Sequence, residues 1–466
     1  MRKKILIGLL SCFLTLAFFS AFTSEISAQK NLGKKPNERA RKIAKEGDIL
    51  YNQKDYRGAI NKYAEAIVMA PNFPQAHFFK ASAHLLLDEN AEAVEDFDAA
   101  LQQGFTPMKV YELRWEAHFK TKNYDAALAD VQKGLQIQPN NNYLALELGN
   151  IYRMKESYED AIKVYNKALS TNPNLADIHY YVAYSYSRLN NFEKQGLAAS
   201  EAIKYNTKFA GESYKLIGDA AVAAKKPDEA IQAYERALNV KPEFQEIYML
   251  LSDVYRNQNR LPDAIATLKK GTTLFPENGD MFVSLTWYYS LSDRPNDAVT
   301  VGQKATKLAP DQYMAFTNLC RAYNDTKQYA QAVTTCNKAL SMEPNDGETN
   351  FYIARAYDFQ KKQDVAAPHY KKAVEGLQNS TSKSPDNSDS WYLLGNAYYG
   401  NEQVDKAIEA YNKTLVLSPN FAKARVNLGY MYFLNNNQDA ARQQYDLLLK
   451  IDKTSAEKLK QLMEKK

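Results

Sequence analysis

The side chains best suited to acid–base or metal chemistry are five histidines, His77, His84, His118, His179 and His369, and two cysteines, Cys320 and Cys336. His84 and His118 lie 34 residues apart, which would set them side by side as a ligand pair if the chain repeats with that period. A zinc site needs three or four ligands, so neither this pair nor two cysteines makes one. There is no His-Glu-x-x-His helix, no phosphate-cradling glycine loop and no Gly-x-Ser-x-Gly elbow. No nucleophile, base and orienting group are set up to converge, so we expect neither catalysis nor a cofactor. The other chemically able set is a series of arginines and large aromatics that recurs along the chain. Arginine grips a carboxylate through two parallel hydrogen bonds, and tyrosine or tryptophan offers rigid contact area. Protein-binding hot spots are made of that combination.

The elements that carry these residues follow from a period of 34 residues. Repeats begin at residues 40, 74, 108, 142 and 176, at 211, 245, 279, 313 and 347, and at 388 and 422. The register breaks by one residue before Gly211 and by seven before Ser388. The twentieth position is alanine throughout, from Ala59 and Ala93 to Ala407 and Ala441, except for Gln195. The twenty-seventh is small in ten repeats and the eleventh is tyrosine in eight, among them Tyr152, Tyr186, Tyr255 and Tyr432. Proline closes eight, including Pro71, Pro139, Pro173, Pro242 and Pro419. Each repeat holds two apolar stripes at helical spacing, parted by a short polar break such as Lys122-Asn123. Small residues at positions eight, twenty and twenty-seven let the two helices approach closely. Proline after the second helix stops it. One hairpin cannot cover its own apolar face, so the hairpins must stack. Four of the histidines fall at positions four or eleven, where core aromatics usually sit, and are read as packed, hydrogen-bonded side chains.

Tyr158-Glu-Asp-Ala-Ile-Lys-Val-Tyr-Asn-Lys-Ala-Leu and Trp391-Tyr-Leu-Leu-Gly-Asn-Ala-Tyr-Tyr are similar to the tetratricopeptide-repeat consensus, and the resemblance runs over nearly the whole chain after residue 39. It implies an all-α fold: a right-handed α-solenoid superhelix of about twelve TPR helical hairpins with a C-terminal capping helix. It also implies that ligands lie along a concave face lined by the first helix of each hairpin, at positions two, five, nine, twelve and thirteen. On this chain those positions offer Tyr143, Asn150 and Arg153, then Tyr180, Tyr184 and Arg188. Further along stand Asp253 and Arg256, Trp287, and Arg321 with Asn324. The last stretch offers Phe351, Arg355, Tyr392, Asn396, Tyr399 and Tyr430. An extended acidic or aromatic segment is the ligand this set suggests. In the competing reading these residues brace neighbouring repeats, with Asp253, Arg256 and Asp280 paired among themselves. The carboxylate-clamp pattern of chaperone-tail binders, lysine and asparagine at positions five and nine, is missing, since Ala44 and Asp48 stand there in the first repeat. Glycosyltransferases with such arrays append a catalytic domain, for which no residues remain here. Cys320 and Cys336, at positions eight and twenty-four of the ninth repeat, lie level on antiparallel helices. In an oxidising compartment they form a disulfide; otherwise they are two small thiols packed in place of Gly or Ala and an aromatic.

The N-terminus sets the compartment. Arg2, Lys3 and Lys4 precede an apolar stretch from Ile5 to Phe22, and small residues lead to Ala28. This reads as a secretory signal over residues 1–28 of bacterial form, cleaved after Ala28. An uncleaved anchor helix, or a lipobox at Leu9-Leu10-Ser11-Cys12, are the rival readings. Cleavage lowers the formal charge from +5 to +3, too balanced to supply the basic stripe that nucleic acid requires. Residues 29–39 read as a mobile leader, 40–378 as repeats one to ten, 379–387 as a flexible polar loop and 388–455 as repeats eleven and twelve. Residues 454–466 read as a capping helix opened by Thr454-Ser-Ala-Glu457, with Leu459, Leu462 and Met463 facing inward. The expected function is an envelope scaffold or adaptor, periplasmic or secreted, that binds protein or extended peptide segments along its groove. It would touch membrane only through an uncleaved anchor or a partner. The alternative is a glycan- or small-ligand-binding protein that uses the aromatic groove for stacking.

Overall fold

The computed structural model describes residues 36–464; the signal and the first seven residues of the leader lie outside the described residues. Among the described residues there are twenty-five helices and no strand. The chain divides between Ala220 and Ala221 into two compact units. The N-terminal unit holds α1 (Glu38–Asn52), α2 (Tyr56–Met69), α3 (Pro74–Leu86), α4 (Asn90–Gln102), α5 (Pro107–Lys120) and α6 (Tyr124–Ile137). It continues with α7 (Asn142–Met154), α8 (Tyr158–Thr171), α9 (Ala176–Arg188), α10 (Phe192–Lys204) and most of α11 (Ala210–Ala223). The C-terminal unit follows with α12 (Pro227–Val240), α13 (Gln245–Asn257), α14 (Leu261–Leu274), α15 (Gly279–Leu291), α16 (Pro295–Leu308), α17 (Tyr313–Asp325) and α18 (Tyr329–Leu340). It ends with α19 (Gly347–Phe359), α20 (Gln363–Lys383), α21 (Ser388–Gly400), α22 (Val404–Leu417), α23 (Ala422–Leu434), α24 (Gln438–Ile451) and α25 (Lys453–Glu464).

Every 34-residue repeat is one hairpin, and its turn is made the same way each time. The second residue after the first helix is left-handed, with φ between 55° and 63° at twelve polar positions from Lys54 and Asp88 to Glu402 and Asn436. The next N–H then reaches back to an otherwise unpaired carbonyl, as Asp55 N does to Leu50 O at 2.9 Å. That next residue often caps the second helix: Asp55, Asn123 and Asn437 each accept the backbone N–H of the residue three positions on.

The small positions set how closely the two helices approach. Alanines at position twenty, such as Ala59, Ala127, Ala264 and Ala332, are wholly buried. A Cβ on Gly47 would fall 2.8 Å from the Tyr63 ring and one on Gly395 2.6 Å from Tyr411, so glycine at position eight makes room for tyrosine at position twenty-four. In the ninth repeat Cys320 and Cys336 take those two places and are joined as a disulfide, with Cα atoms 5.4 Å apart. Gln195, where alanine is otherwise universal, is buried, and its Nε2 donates to Leu216 O at 2.8 Å.

Three boundaries differ from the sequence reading. The leader's end is helical, because Asn37 accepts the Ala40 N–H at 2.8 Å and starts α1 at Glu38. Most of the expected polar loop is helix: α20 runs on to Lys383 because Leu377 and Thr381, four residues apart, continue its buried stripe. Ser380, Thr381 and Ser382 bond their hydroxyls to carbonyls three or four residues back, so their polarity does not break the helix. At the C-terminus the cap of α25 is Asp452, not Thr454. Its carboxylate accepts from Thr454 N at 3.0 Å and from the Ser455 hydroxyl at 2.6 Å, and these bonds hold its pKa below the usual range. Leu459 is fully buried against Val426 and Leu448, with Leu462 and Met463 packed beside it.

Candidate functional site

In the C-terminal unit, the first-helix faces curve towards one another. Arg256 of α13 lies 3.5 Å from Asp389 at the start of α21, four repeats further on. Lys423 of α23 donates to Asp293, in the turn after α15, at 2.7 Å, again across four repeats. Such pairs require an inner, concave face. Between them stand the arginines and aromatics of positions nine and twelve. The Arg256 guanidinium lies 4.8 Å from the centre of the Trp287 ring, and its Nε is buried without a partner. Arg321 lies 5.8 Å from the Tyr352 ring, and Arg355 Nη1 donates to Asp325 at 3.0 Å.

Glu348, at position two of the tenth repeat, sits in this field. Burial raises its carboxyl to about 7; Arg321 pulls it back, and Asp346 and Asp389 push it further up. Glu348 and Arg321 act on one another through space, without a hydrogen bond. Tyr352 is 3% exposed, and burial among these charges drives its phenol well above the ordinary value. The site is therefore a partly buried face with three arginines, several carboxylates and the rings of Trp287 and Tyr392. Tyr399, 43% exposed, meets Tyr430 edge-on at its far end.

The N-terminal unit presents a different first-helix face. Tyr143 packs edge-on against Trp115, and its phenol is raised by burial and by Glu147, Glu116 and Glu112. Burial also raises the Glu147 carboxyl. Arg153 lies over the rings of Tyr181 and Tyr184, its Nε buried without a partner. Tyr180 stacks on Phe209 at 4.4 Å, and Arg188 Nε donates to the Tyr158 hydroxyl at 3.2 Å.

Several expected groove residues serve packing instead. Asn324 is 2% exposed and its Nδ2 bridges Cys320 O and Tyr352 O at 3.1 Å each, because α17 and α19 pack too closely there for an outward amide. Phe351 is buried edge-on against Tyr352, on the side of α19 that faces α20 and α17. Asn150 and Asn396 accept the hydroxyls of Tyr165 and Tyr411, at 3.0 and 2.7 Å, and so brace their own hairpins. Asp253, Arg256 and Asp280 do not pair among themselves: Asp253 accepts from Tyr288 and Asp280 from Gln312. The sequence reading missed Glu348, Asp389 and Lys423, all at position two. A signal was present, since position two lines the groove in the repeat pattern, but single charges there do not stand out as the aromatics and arginines do.

The histidines lie in buried or bracing networks. His77 Nδ1 and Lys80 Nζ lie 2.8 and 2.9 Å from the Asp96 carboxylate, and His84 Nδ1 lies 2.7 Å from Glu89. His118 faces Asp130, which Arg114 grips with two bonds of 2.6 and 2.8 Å; burial lowers the imidazole pKa. His179 meets Pro173 O and His369 meets Asn350. Among the described residues no three His, Cys, Asp or Glu side chains converge as a metal-ligand group, and no helix is long and apolar enough to cross a membrane.

Family models of this hairpin match along the chain: "TPR repeat" over residues 149–190, and "Tetratricopeptide repeat" over 45–104, 221–282, 315–346, 353–420 and 392–456. The chain belongs to the tetratricopeptide-repeat family. Among curated proteins, it is 31% identical over 98 residues to Hsp70-Hsp90 organizing protein 2 of Arabidopsis thaliana, a match covering 21% of this chain and 17% of that one. It is 26% identical over 179 residues to a DnaJ homolog subfamily C member 7 homolog of Schizosaccharomyces pombe, covering 37% of each. The matches thus span well under half the length of these relatives. Similar solved structures include MamA protein (25% identity, TM-score 0.34, 38% of this chain and 96% of that one). Another is the APC/C hetero-tetramer Cut9-Hcn1 (14%, TM-score 0.39, 91% and 96%).

Proposed function

We propose that this chain is a scaffold or adaptor of the bacterial cell envelope that binds protein segments along the inner face of its repeats. The observation that carries this reading is the convergence, in the C-terminal unit, of Arg256, Arg321 and Arg355 with Trp287, Tyr352 and Tyr392. Arginines held against aromatic faces in a partly desolvated hollow are the groups that dominate protein–protein binding energy. An extended segment bearing carboxylates fits their charge. Protein binding is also in keeping with the names of relatives such as the Hsp70-Hsp90 organizing proteins. The ligand differs from a chaperone tail, because in the first repeat the clamp positions hold buried Ala44 and part-buried Asp48, and Asp48 accepts the Tyr63 hydroxyl. The envelope assignment rests on the signal-like residues 1–28 and on the Cys320–Cys336 disulfide, which suits an oxidising compartment.

The test is affinity purification of the full chain from its own envelope extract, beside a variant with Tyr184, Arg188, Trp287, Arg321 and Tyr392 changed to alanine. A protein that comes down with the parent and is lost with the equally folded variant supports the groove. The same proteins coming down with both would refute the groove assignment. Soluble oligosaccharide binding without any protein partner would favour the stacking alternative.

A further inference from the structure

The charged residues of the C-terminal groove are unequal in one respect. Arg321 faces the hollow with no carboxylate bonded to it, and Arg355 is held by Asp325 of the preceding repeat. Arg256, however, is engaged by a carboxylate from the opposite wall, Asp389, four repeats away. The two side chains are 28% and 34% exposed, so the pair is only partly desolvated. The second cross-groove pair, Lys423 with Asp293, is more exposed, at 41% and 79%. Both pairs tie the first half of the unit to its last two repeats, and both are of the kind that contributes little and weakens with salt. Asp389 also begins a helix: it is the second residue of α21, and the Asn387 side chain already caps the N–H groups of Asp389 and Ser390. Its carboxylate is thus not needed as the cap and is free to leave Arg256 without unmaking the helix start.

We propose that Asp389 is an internal placeholder. With the Lys423–Asp293 pair it latches the groove of the C-terminal unit across four repeats, and a partner's carboxylate displaces it from Arg256 to bind there. This rests on the groove-binding reading above and adds its regulation. The occupant is an extended acidic protein segment. Its carboxylates match Arg256 against Trp287 and Arg321 against Tyr352. Its entry requires the two walls to part.

The closing experiment separates the latch from the groove reading. Spin labels at Asn257→Cys and Asp386→Cys in the full chain carrying Cys12→Ser report the distance between the walls, since Cys320 and Cys336 are bonded to each other. The latch predicts a longer and broader distance distribution in the Asp389→Asn, Lys423→Ala variant than in the parent. It also predicts that about 0.5 M salt moves the parent towards the variant. Titration with a short polyglutamate peptide then tests occupancy. Asp389→Asn binds about two- to fivefold more tightly than the parent, the gain expected from removing one weak competing pair, and Arg256→Ala binds more weakly than the parent. If the distance is unchanged and the peptide binds parent and Asp389→Asn alike, the latch is overturned while groove binding stands. If the walls part but neither the parent nor any variant binds the acidic peptide, the placeholder role and the acidic occupant are both overturned.

Discussion

Glu348 supplies a sharp test of how far the groove of the C-terminal unit is shielded from water. Its carboxyl is raised from an ordinary 4.5 to about 7, by burial first, with Asp346 and Asp389 adding to the rise and Arg321 opposing it. The proton is held more tightly in the folded than in the unfolded chain. The associated stability is therefore fully present below pH 4.5 and is lost as pH rises through 7. A shift from 4.5 to about 7, at 1.36 kcal/mol per unit, corresponds to on the order of 3 kcal/mol. Glu348→Gln keeps the shape and removes the titration. The variant should match the parent near pH 4.5, gain on it steadily, and be the more stable by about 1–3 kcal/mol near pH 8. The lower end allows for solvent that reaches this part-buried side chain. The assay is urea unfolding at a series of pH values, followed by the fluorescence of Trp287 and Trp391, both in this unit. A second variant checks the cause: Arg321→Gln, with Glu348 kept, should move the transition to higher pH, because the opposing charge is gone. A difference between Glu348→Gln and parent that stays flat from pH 4.5 to 8 would refute the reasoning. Glu348 would then ionise as in water, and the hollow around Arg321 and Tyr352 would be open.

Other consequences lie in the packing. Opening the Cys320–Cys336 bond releases a closed loop with a sequence separation of 16 and should cost the C-terminal unit about 3 kcal/mol; a urea midpoint unmoved by reductant, once thiol titration shows both cysteines free, would contradict this. Gly395→Ala forces a methyl against the Tyr411 ring and should destabilise by about 1–3 kcal/mol, read by thermal unfolding, while Ser388→Ala, at the part-buried start of the same helix, should cost far less. In the N-terminal unit, Arg114→Met strands the 2%-exposed Asp130 and should cost about 3–5 kcal/mol. Adding Asp130→Leu should recover much of that loss, and a strictly additive double variant would show that the two do not act as a pair.

The hairpins were legible because their signal is repeated. Alanine at position twenty recurs at 34-residue intervals, and a helix pair can approach closely only where such residues align. The groove was legible as a stripe of positions but not as a site. Asn324 and Asn396 look like outward polar groups in sequence. Only the packing shows that one bridges carbonyls and the other holds a tyrosine hydroxyl. Glu348 and Asp389 carried no motif. What singles them out is the curvature that sets residues four repeats apart within reach of one another, and no local pattern encodes that distance. The polar run after residue 378 misled because serine and threonine suggest a loop, whereas here their hydroxyls turn back onto the helix.

In six of the repeats the residue at position twenty-four goes with whether position nine braces the hairpin or faces the groove; the tenth differs, since its Tyr370 hydroxyl donates to Asp358 and leaves position nine to Arg355. In the first, fourth and eleventh repeats glycine at position eight admits a tyrosine at position twenty-four, whose hydroxyl needs an acceptor. Position nine supplies it, as Asp48, Asn150 and Asn396. In the fifth, eighth and ninth repeats position twenty-four is Ala199, Gly302 and Cys336, none of which presents a hydroxyl to satisfy. There position nine is Tyr184, Trp287 and Arg321, large side chains that make arginine–ring contacts across neighbouring repeats. The disulfide fits the same logic. It fastens the ninth hairpin with a covalent bond where the first, fourth and eleventh rely on a ring and a hydroxyl, and so leaves Arg321 with no tyrosine hydroxyl to satisfy. Replacing the pair by Cys320→Gly and Cys336→Tyr should install the hairpin contact of the first, fourth and eleventh repeats, but would place a phenol hydroxyl beside a guanidinium that cannot accept from it. That variant should fold less stably than Cys320→Gly, Cys336→Tyr with Arg321→Asn added, in which the acceptor is returned. Equal urea midpoints for the two would show that position twenty-four does not govern position nine.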